Sequence, residues 1–477
     1  MASIIGRKAE ISELSARYNS GKSEFIAIYG RRRVGKTFLI KEYFKNHFAF
    51  QHTALSLVDK KSGQRTEQLK HFFYSLRQYG WEGEQQPSSW LEAFFLLKQL
   101  LGQKDDGSRQ VVFIDELPWM DTPGSGFVTA LESFWNGWGD CRDNLMLVVC
   151  GSATSWMSNR LINDKGGLYG RLTDVIKLEP FTLSECAQFY EANGINLSRY
   201  DITEGYMILG GIPYYMDYFA KGFSLAQNID NLFFKKNAKL KDEFSRLFRS
   251  VFINPEMKMK IVRALGTCHK GLTREQIVQK TNIKGGGTLS ESLAALEESD
   301  FLVKYVPYGC SKRAVHYKLS DNFCWFWLHF MEQDRKQEDF WQVNENKPAV
   351  RSWCGIAFEE VCFNHIRQIK QALGISGVTT RISSFIEQGD NHSEGMQIDM
   401  IIDRDDRVLN LCEMKFIQSD FAVDRDYSRK IANRVQFLLQ KENRTIHSTL
   451  ITTYGLKYNE YSGSFQKTIT LDDLFVG

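Results

Sequence analysis

Phe25-Ile26-Ala27-Ile28-Tyr29-Gly30-Arg31-Arg32-Arg33-Val34-Gly35-Lys36-Thr37 runs from a short apolar stretch into a basic loop bounded by glycines. Its second part fits G-x-x-x-x-G-K-[ST], and its first part reads as a buried strand. A helix is expected to open at Thr37 and run to Phe44. Strand, glycine loop and helix in that order form a phosphate loop. The glycines let backbone N–H groups turn toward phosphate oxygens, and the helix N-terminus adds partial positive charge. Gly30, Arg33, Val34, Gly35, Lys36, Thr37 and Phe38 are therefore the expected nucleotide-binding residues. Lys36 is placed to reach the β- and γ-phosphates, and the Thr37 hydroxyl to ligate Mg²⁺.

Two further apolar runs lie downstream. Val111-Val112-Phe113-Ile114 ends in Asp115-Glu116, and Leu145 to Cys150 ends in Gly151-Ser152. Runs without polar alternation suit strands of a parallel sheet covered on both faces. Asp115 is placed to hold the magnesium through water, and Glu116 to polarise the attacking water. Ser152 has two readings: contact with the γ-phosphate or the water, or capping of the following helix. Arg171, after Gly170, also has two: a finger on the transferring phosphoryl group, in cis or in trans, or a plain surface arginine. Homo-oligomer formation, on which the trans reading depends, stays open.

Taken together, Ile5-Gly6-Arg7-Lys8-Ala9-Glu10, the phosphate loop, the Asp-Glu strand, Gly170-Arg171 and Gly210-Gly211-Ile212-Pro213-Tyr214-Tyr215 resemble the archaeal-type AAA+ ATPases. These are relatives of the origin-recognition and STAND ATPases. The likeness covers about residues 1 to 320. It implies ATP as ligand, a helical lid, and an adenine pocket lined by Ile5, Gly6 and Pro213.

Residues 256–320 read as helix, turn, helix and a two-stranded wing, the winged-helix order. They hold 11 Lys or Arg against 6 Asp or Glu, a surplus of +5 that exceeds the +3 of the whole chain. A basic winged helix suits duplex DNA, with Lys312 and Arg313 in the wing as candidate contacts. The helix from Leu289 to Ser299 carries Glu291, Glu297 and Glu298 and no basic residue, which suits a module that packs domains together.

After residue 350 comes a helix bearing Glu359, then Asp399 in Gln397-Ile398-Asp399-Met400-Ile401-Ile402, then Glu413-Met414-Lys415. That order resembles the PD-(D/E)xK nuclease-like fold, although no proline precedes Asp399. Alternation along a strand puts Glu413 and Lys415 on one face and Met414 on the other. The resemblance implies a second divalent metal, Mg²⁺ or Mn²⁺, on Asp399, Glu413 and Glu359. Lys415 would orient water or stabilise charge, with Gln436 as a further contact. An inert binding fold is the other reading.

The expected architecture is α/β: a parallel AAA+ sheet over residues 1–180, a helical lid over 181–250, and a winged helix over 251–325. A polar linker over 326–350 then leads to a restriction-nuclease-like domain over 351–477. At 477 residues, 43% hydrophobic and 25% charged, the chain supports several cores, which excludes disorder as a main theme. Nine cysteines without Cys-x-x-Cys spacing argue against a zinc ribbon or a disulfide framework. Without an apolar run near 18 residues or a signal-like start, a cytoplasmic location and no membrane partner are expected. The expectation is an ATPase directed at DNA and possessed of a nuclease-like domain; the alternative is an ATP-controlled signalling or scaffold switch.

Overall fold

The computed structural model describes residues 4–56, 63–163, 166–252, 254–332, 337–387 and 396–477. Residues 1–3 of the amino-terminal stretch and residues 333–336 of the expected linker lie outside them. The chain divides into two units. One is formed by residues 1–180, 247–255 and 293–300, the other by residues 181–246, 256–292 and 301–477.

The first unit is built on a five-stranded sheet: β1 (Glu24–Tyr29), β2 (Phe50–Thr53), β3 (Gln110–Asp115), β4 (Leu145–Gly151) and β5 (Asp174–Lys177). The order is β2-β3-β4-β1-β5, and every pairing is parallel. Parallel strands need crossover connections, and helices supply them on the sheet faces. Every residue of β3 and β4 is buried, as two covered faces require. Because β1 neighbours β4 and β4 neighbours β3, the carboxyl ends of all three strands lie at one edge. That edge is where open α/β sheets bind ligands.

The second unit holds two further sheets. β6 (Leu272–Thr273), β7 (Leu302–Tyr305) and β8 (His316–Leu319) form an antiparallel ribbon in the order β6-β8-β7. Helices Pro255–Leu265, Arg274–Thr281 and Gly287–Glu298 accompany it in sequence. Thr273 and Gln276 form a capping box that starts the second of these helices. Helix Gly287–Glu298 contributes its residues from Leu293 onward to the first unit. There Asp300 pairs with Lys177 at 2.7 Å, and Glu298 accepts from Asn159 at 3.4 Å.

The last sheet is β13-β12-β11-β10-β9, from β9 (Thr380–Glu387), β10 (Met396–Arg404), β11 (Val408–Lys415), β12 (Thr445–Thr452) and β13 (Lys467–Ile469). β9, β10 and β11 pair antiparallel, whereas β11, β12 and β13 pair parallel. Helices Pro348–Asn364 and Arg425–Lys441 pack on this sheet.

Residues 326–350, expected as a polar linker, are tied into the second unit. Phe326, Phe330, Phe340 and Trp341 are buried, and Phe330 lies 5.2 Å from Trp341 and 5.1 Å from Trp353 between ring centroids. The Trp341 N–H donates to buried Asp230 at 2.7 Å, and its indole N–H donates to buried Glu204 at 3.1 Å. Aromatic burial outweighs the polarity of the intervening residues. Pro348 stands in the first turn of a helix, where its missing N–H costs nothing. The helices after residue 180 also join this unit: the Leu183 N–H donates to His365 Nε2 at 2.9 Å. His365 Nδ1 faces the Val361 carbonyl at 2.8 Å, so the ring is neutral with its proton on Nδ1. Burial pushes its pKa down to about 4, against a smaller opposing effect of the Val361 hydrogen bond.

Candidate functional site

Gly30 follows β1 where the chain passes close to Leu178. A Cβ on Gly30 would lie 2.2 Å from the Leu178 carbonyl oxygen, and φ is +142°. Only glycine fits there. Gly35 has φ +95° and precedes helix Lys36–Tyr43, leaving the loop to curl around the helix N-terminus. Arg33 also has positive φ, and Val34 is buried while Phe38 is 44% exposed. The Arg7 guanidinium donates to the Val34 carbonyl at 3.2 Å. This places Ile5 and Gly6 on a segment fastened to the loop.

The Lys36 ammonium is buried and donates to the carbonyls of Gly30 and Arg31 at 2.9 and 3.1 Å. Burial lowers its pKa, while Glu116 and Asp115 oppose that effect. Thr37 Oγ1 donates to Asp115 Oδ2 at 2.8 Å. Asp115 is raised by burial and then by Glu116, with the Thr37 hydrogen bond opposing. A hydroxyl and a buried carboxylate facing each other at a phosphate loop are hard oxygen donors, and they fit Mg²⁺. Glu116 sits at φ 51°, just past the end of β3. Ser152 Oγ donates to its Oε1 at 2.7 Å, and the Ser152 N–H donates to its Oε2 at 3.2 Å. Thr37, Asp115, Glu116 and Ser152 are thus linked by hydrogen bonds, and Lys36 feels the charge of both acids. Arg171 stands apart from it, on the surface, with Asp140 3.3 Å away.

Residues 4–219 match the model of a family described as an ATPase domain predominantly from Archaea. They are an archaeal-type ATPase domain. A Methanocaldococcus jannaschii protein, the uncharacterized MJECL04, is 24% identical over 365 residues, covering 75% of this chain and 76% of its own. Among solved structures, the Walker-type ATPase PABY2304 of Pyrococcus abyssi matches with a TM-score of 0.48 at 18% identity. That match covers 68% of this chain and 96% of the other. The ORC2 protein of Aeropyrum pernix matches with a TM-score of 0.44 at 14% identity, covering 68% and 93%.

The family match extends past the ATPase sheet to the helices that hold Pro213. In that second unit Pro213 opens the helix Pro213–Met216. Gly211 before it has φ +65°, and a Cβ there would lie 2.3 Å from the Phe181 carbonyl oxygen.

The acidic residues of the second unit also come together. Asp399 on β10 stands beside the β11 residues Glu413 and Met414, and its Oδ2 accepts from the Met414 N–H at 3.2 Å. Lys415 Nζ lies 3.7 Å from Glu413 Oε2, while Met414 is buried. Glu359, on helix Pro348–Asn364, is raised by burial and then by Asp399. Asp399 is itself raised by burial and then by Glu413.

Glu413 is nevertheless engaged by other side chains. Arg434 forms a close ion pair with its Oε1, and the Tyr427 hydroxyl donates to its Oε2 at 2.7 Å. Among the described residues no group of three or more His, Cys, Asp or Glu side chains is arranged to hold a metal. In this arrangement Glu413 is matched to Arg434 and Lys415, which leaves it poorly suited to a divalent ion. Tyr427 and Arg434 were not singled out in the sequence, although their spacing of seven puts them on one helix face. Gln436, which was, is exposed.

Lys312 and Arg313 are exposed in the loop between β7 and β8. No helix among the described residues is long and apolar enough to cross a membrane.

Proposed function

We propose that the chain is an Mg²⁺-dependent ATPase whose cycle governs a nucleic-acid-directed C-terminal domain. The observation that carries the ATPase part is the hydrogen-bonded set of Thr37, Asp115, Glu116 and Ser152 beside the buried Lys36 of the glycine loop. Thr37 and Asp115 would hold Mg²⁺, which, when bound, neutralises phosphate charge and orients the γ-phosphoryl group. Lys36 is placed to exchange its carbonyl partners for phosphate oxygens. Glu116, held by Ser152, is placed to accept the proton of the attacking water. Ile5, Gly6 and Pro213 are assigned to the adenine, and Arg171 to the transition state of the same or a neighbouring subunit.

Nucleic acid is the proposed target because the 256–320 segment has a surplus of +5 and exposes Lys312 and Arg313 at a hairpin tip. If that tip docks on phosphates, affinity falls steeply with salt as counterions are released. For the C-terminal acids, the engagement of Glu413 by Arg434 and Tyr427 favours a second reading, a nuclease-like fold held closed or kept for binding alone. The test is ATP turnover by the purified chain, with strand cleavage scored on DNA and RNA in Mg²⁺ or Mn²⁺, with and without ATP. No ATP turnover sinks the first reading. Cleavage lost in Asp399→Asn, with turnover intact, decides against the second.

A further inference from the structure

Lys318 lies on β8, in the ribbon that follows helix Gly287–Glu298, yet its closest charged neighbour is on the C-terminal domain. Its Nζ stands 2.7 Å from Glu360 Oε2 and 4.7 Å from the centroid of Phe363. Only 16% of its side chain is exposed. An ammonium so placed needs a fixed counter-charge, because burial otherwise removes its hydration uncompensated. Glu360 supplies that charge, and Glu359 adds to it.

The ribbon is pinned where it meets this site. The Tyr308 N–H donates to the Ser384 carbonyl of edge strand β9 at 2.9 Å. Lys270 reaches Gln397, which precedes Asp399 by two residues on β10. Two narrow clefts lie beside Lys318, with a volume of about 20 Å³ each, and both are lined by His269, Lys318 and Glu359. Spaces of that size hold about one water, not a polynucleotide strand with its phosphates.

We infer that Lys318 is the resident cation of the acidic site formed by Glu359, Glu360 and Asp399, and that the winged-helix ribbon thereby plugs that site against a divalent ion. This rests on the reading of residues 351–477 as a nuclease-like fold. Lys318 supplies positive charge to Glu360 and Glu359, while Arg434 and Lys415 neutralise Glu413 within the domain. The site is therefore charge-compensated without metal, and its opening requires the ribbon to leave.

The test is Mn²⁺ binding by the full chain, followed by paramagnetic titration without nucleotide in an Asp115→Asn background that silences the phosphate-loop acid. Lys318→Met removes the ammonium and keeps all three acids. Lys318→Gln keeps a hydrogen-bond donor toward Glu360, and it decides the matter if Lys318→Met does not fold. Each variant should gain an Mn²⁺ site at least about tenfold tighter than the parent's, and Asp399→Asn should abolish the gain. Equal Mn²⁺ binding by parent and variants, or no gain in any folded variant, overturns the inference. Strand cleavage by the same variants is scored separately. A gain of metal without cleavage would count against the nuclease reading and leave the plug standing.

Discussion

Ser152 holds Glu116 through both carboxylate oxygens, the hydroxyl at 2.7 Å and the backbone N–H at 3.2 Å. Glu116 needs such a hold. It follows β3 in a left-handed backbone conformation with φ 51°, and a long side chain there has several rotamers. Ser152→Ala removes the hydroxyl and keeps the N–H. A hydrogen bond to a charged group contributes about 1.5–3 kcal/mol, so kcat for ATP should fall roughly tenfold to a hundredfold. KM should change little, because Ser152 orients the base and not the nucleotide. Steady-state turnover showing a raised KM at unchanged kcat would assign Ser152 to nucleotide binding instead.

Lys36 separates binding from chemistry at the same site. Its ammonium is held inside the loop by two carbonyls, pre-aimed at the space the glycines leave open. Lys36→Ala should weaken ATP binding on the order of a hundredfold, since more than one charge-assisted hydrogen bond is lost. Glu116→Gln should keep the affinity and slow turnover by about 10²–10⁴. Titration calorimetry on both variants checks this, and wild-type affinity in Lys36→Ala would remove the phosphate-loop assignment.

The pairing of Arg434 with Glu413 makes a different kind of prediction. Glu413 is only 2% exposed, so truncating its partner leaves a buried carboxylate with the more distant Lys415 and one tyrosine hydroxyl. Arg434→Ala should destabilise the second unit by about 3–5 kcal/mol. Adding Glu413→Gln should recover most of that loss, because no charge is then stranded. Denaturant unfolding of the two variants measures both. Additive losses would show that the two residues act independently.

What the sequence made legible follows the range of the interactions. The run from Phe25 to Thr37 is local, and strand, loop and helix each leave a mark within thirteen letters. The Asp115-Glu116 end of β3 is equally local, and the parallel topology then brings it to Thr37. Glu413 and Lys415 share a site because alternation along one strand requires it. Arg434 was missed although it was within reach, since an i, i+7 pair with Tyr427 marks one helix face. Lys318 left no signal at all, because its partner is 42 residues away and depends on how a ribbon docks. The stretch 326–350 misled by average polarity: Phe330, Phe340 and Trp341 are few, but each buries a large apolar area, and area decides.

Glu204 predicts how stability depends on pH. It is buried beneath Trp341, with Arg351 3.8 Å away, and burial raises its pKa to about 7 against the lowering effects of Arg351 and Trp341. The unfolded value lies near 4.5. Between these values the folded chain binds more protons than the unfolded one, so stability falls as pH rises from 4.5 to 7. Below 4.5 both states are protonated and Glu204 contributes no such dependence; above 7 both are ionised and the full penalty stands. One pKa unit corresponds to about 1.4 kcal/mol, which bounds the penalty at roughly 3 kcal/mol. Glu204→Gln keeps an acceptor for the Trp341 indole N–H and removes the charge. The variant should therefore match the parent near pH 4, and should exceed it by up to about 3 kcal/mol at pH 8. Thermal unfolding across that range gives the difference curve. A parent that gains on the variant as pH rises would mean that the ion pair with Arg351 outweighs burial, and that Glu204 is ionised in the folded chain throughout.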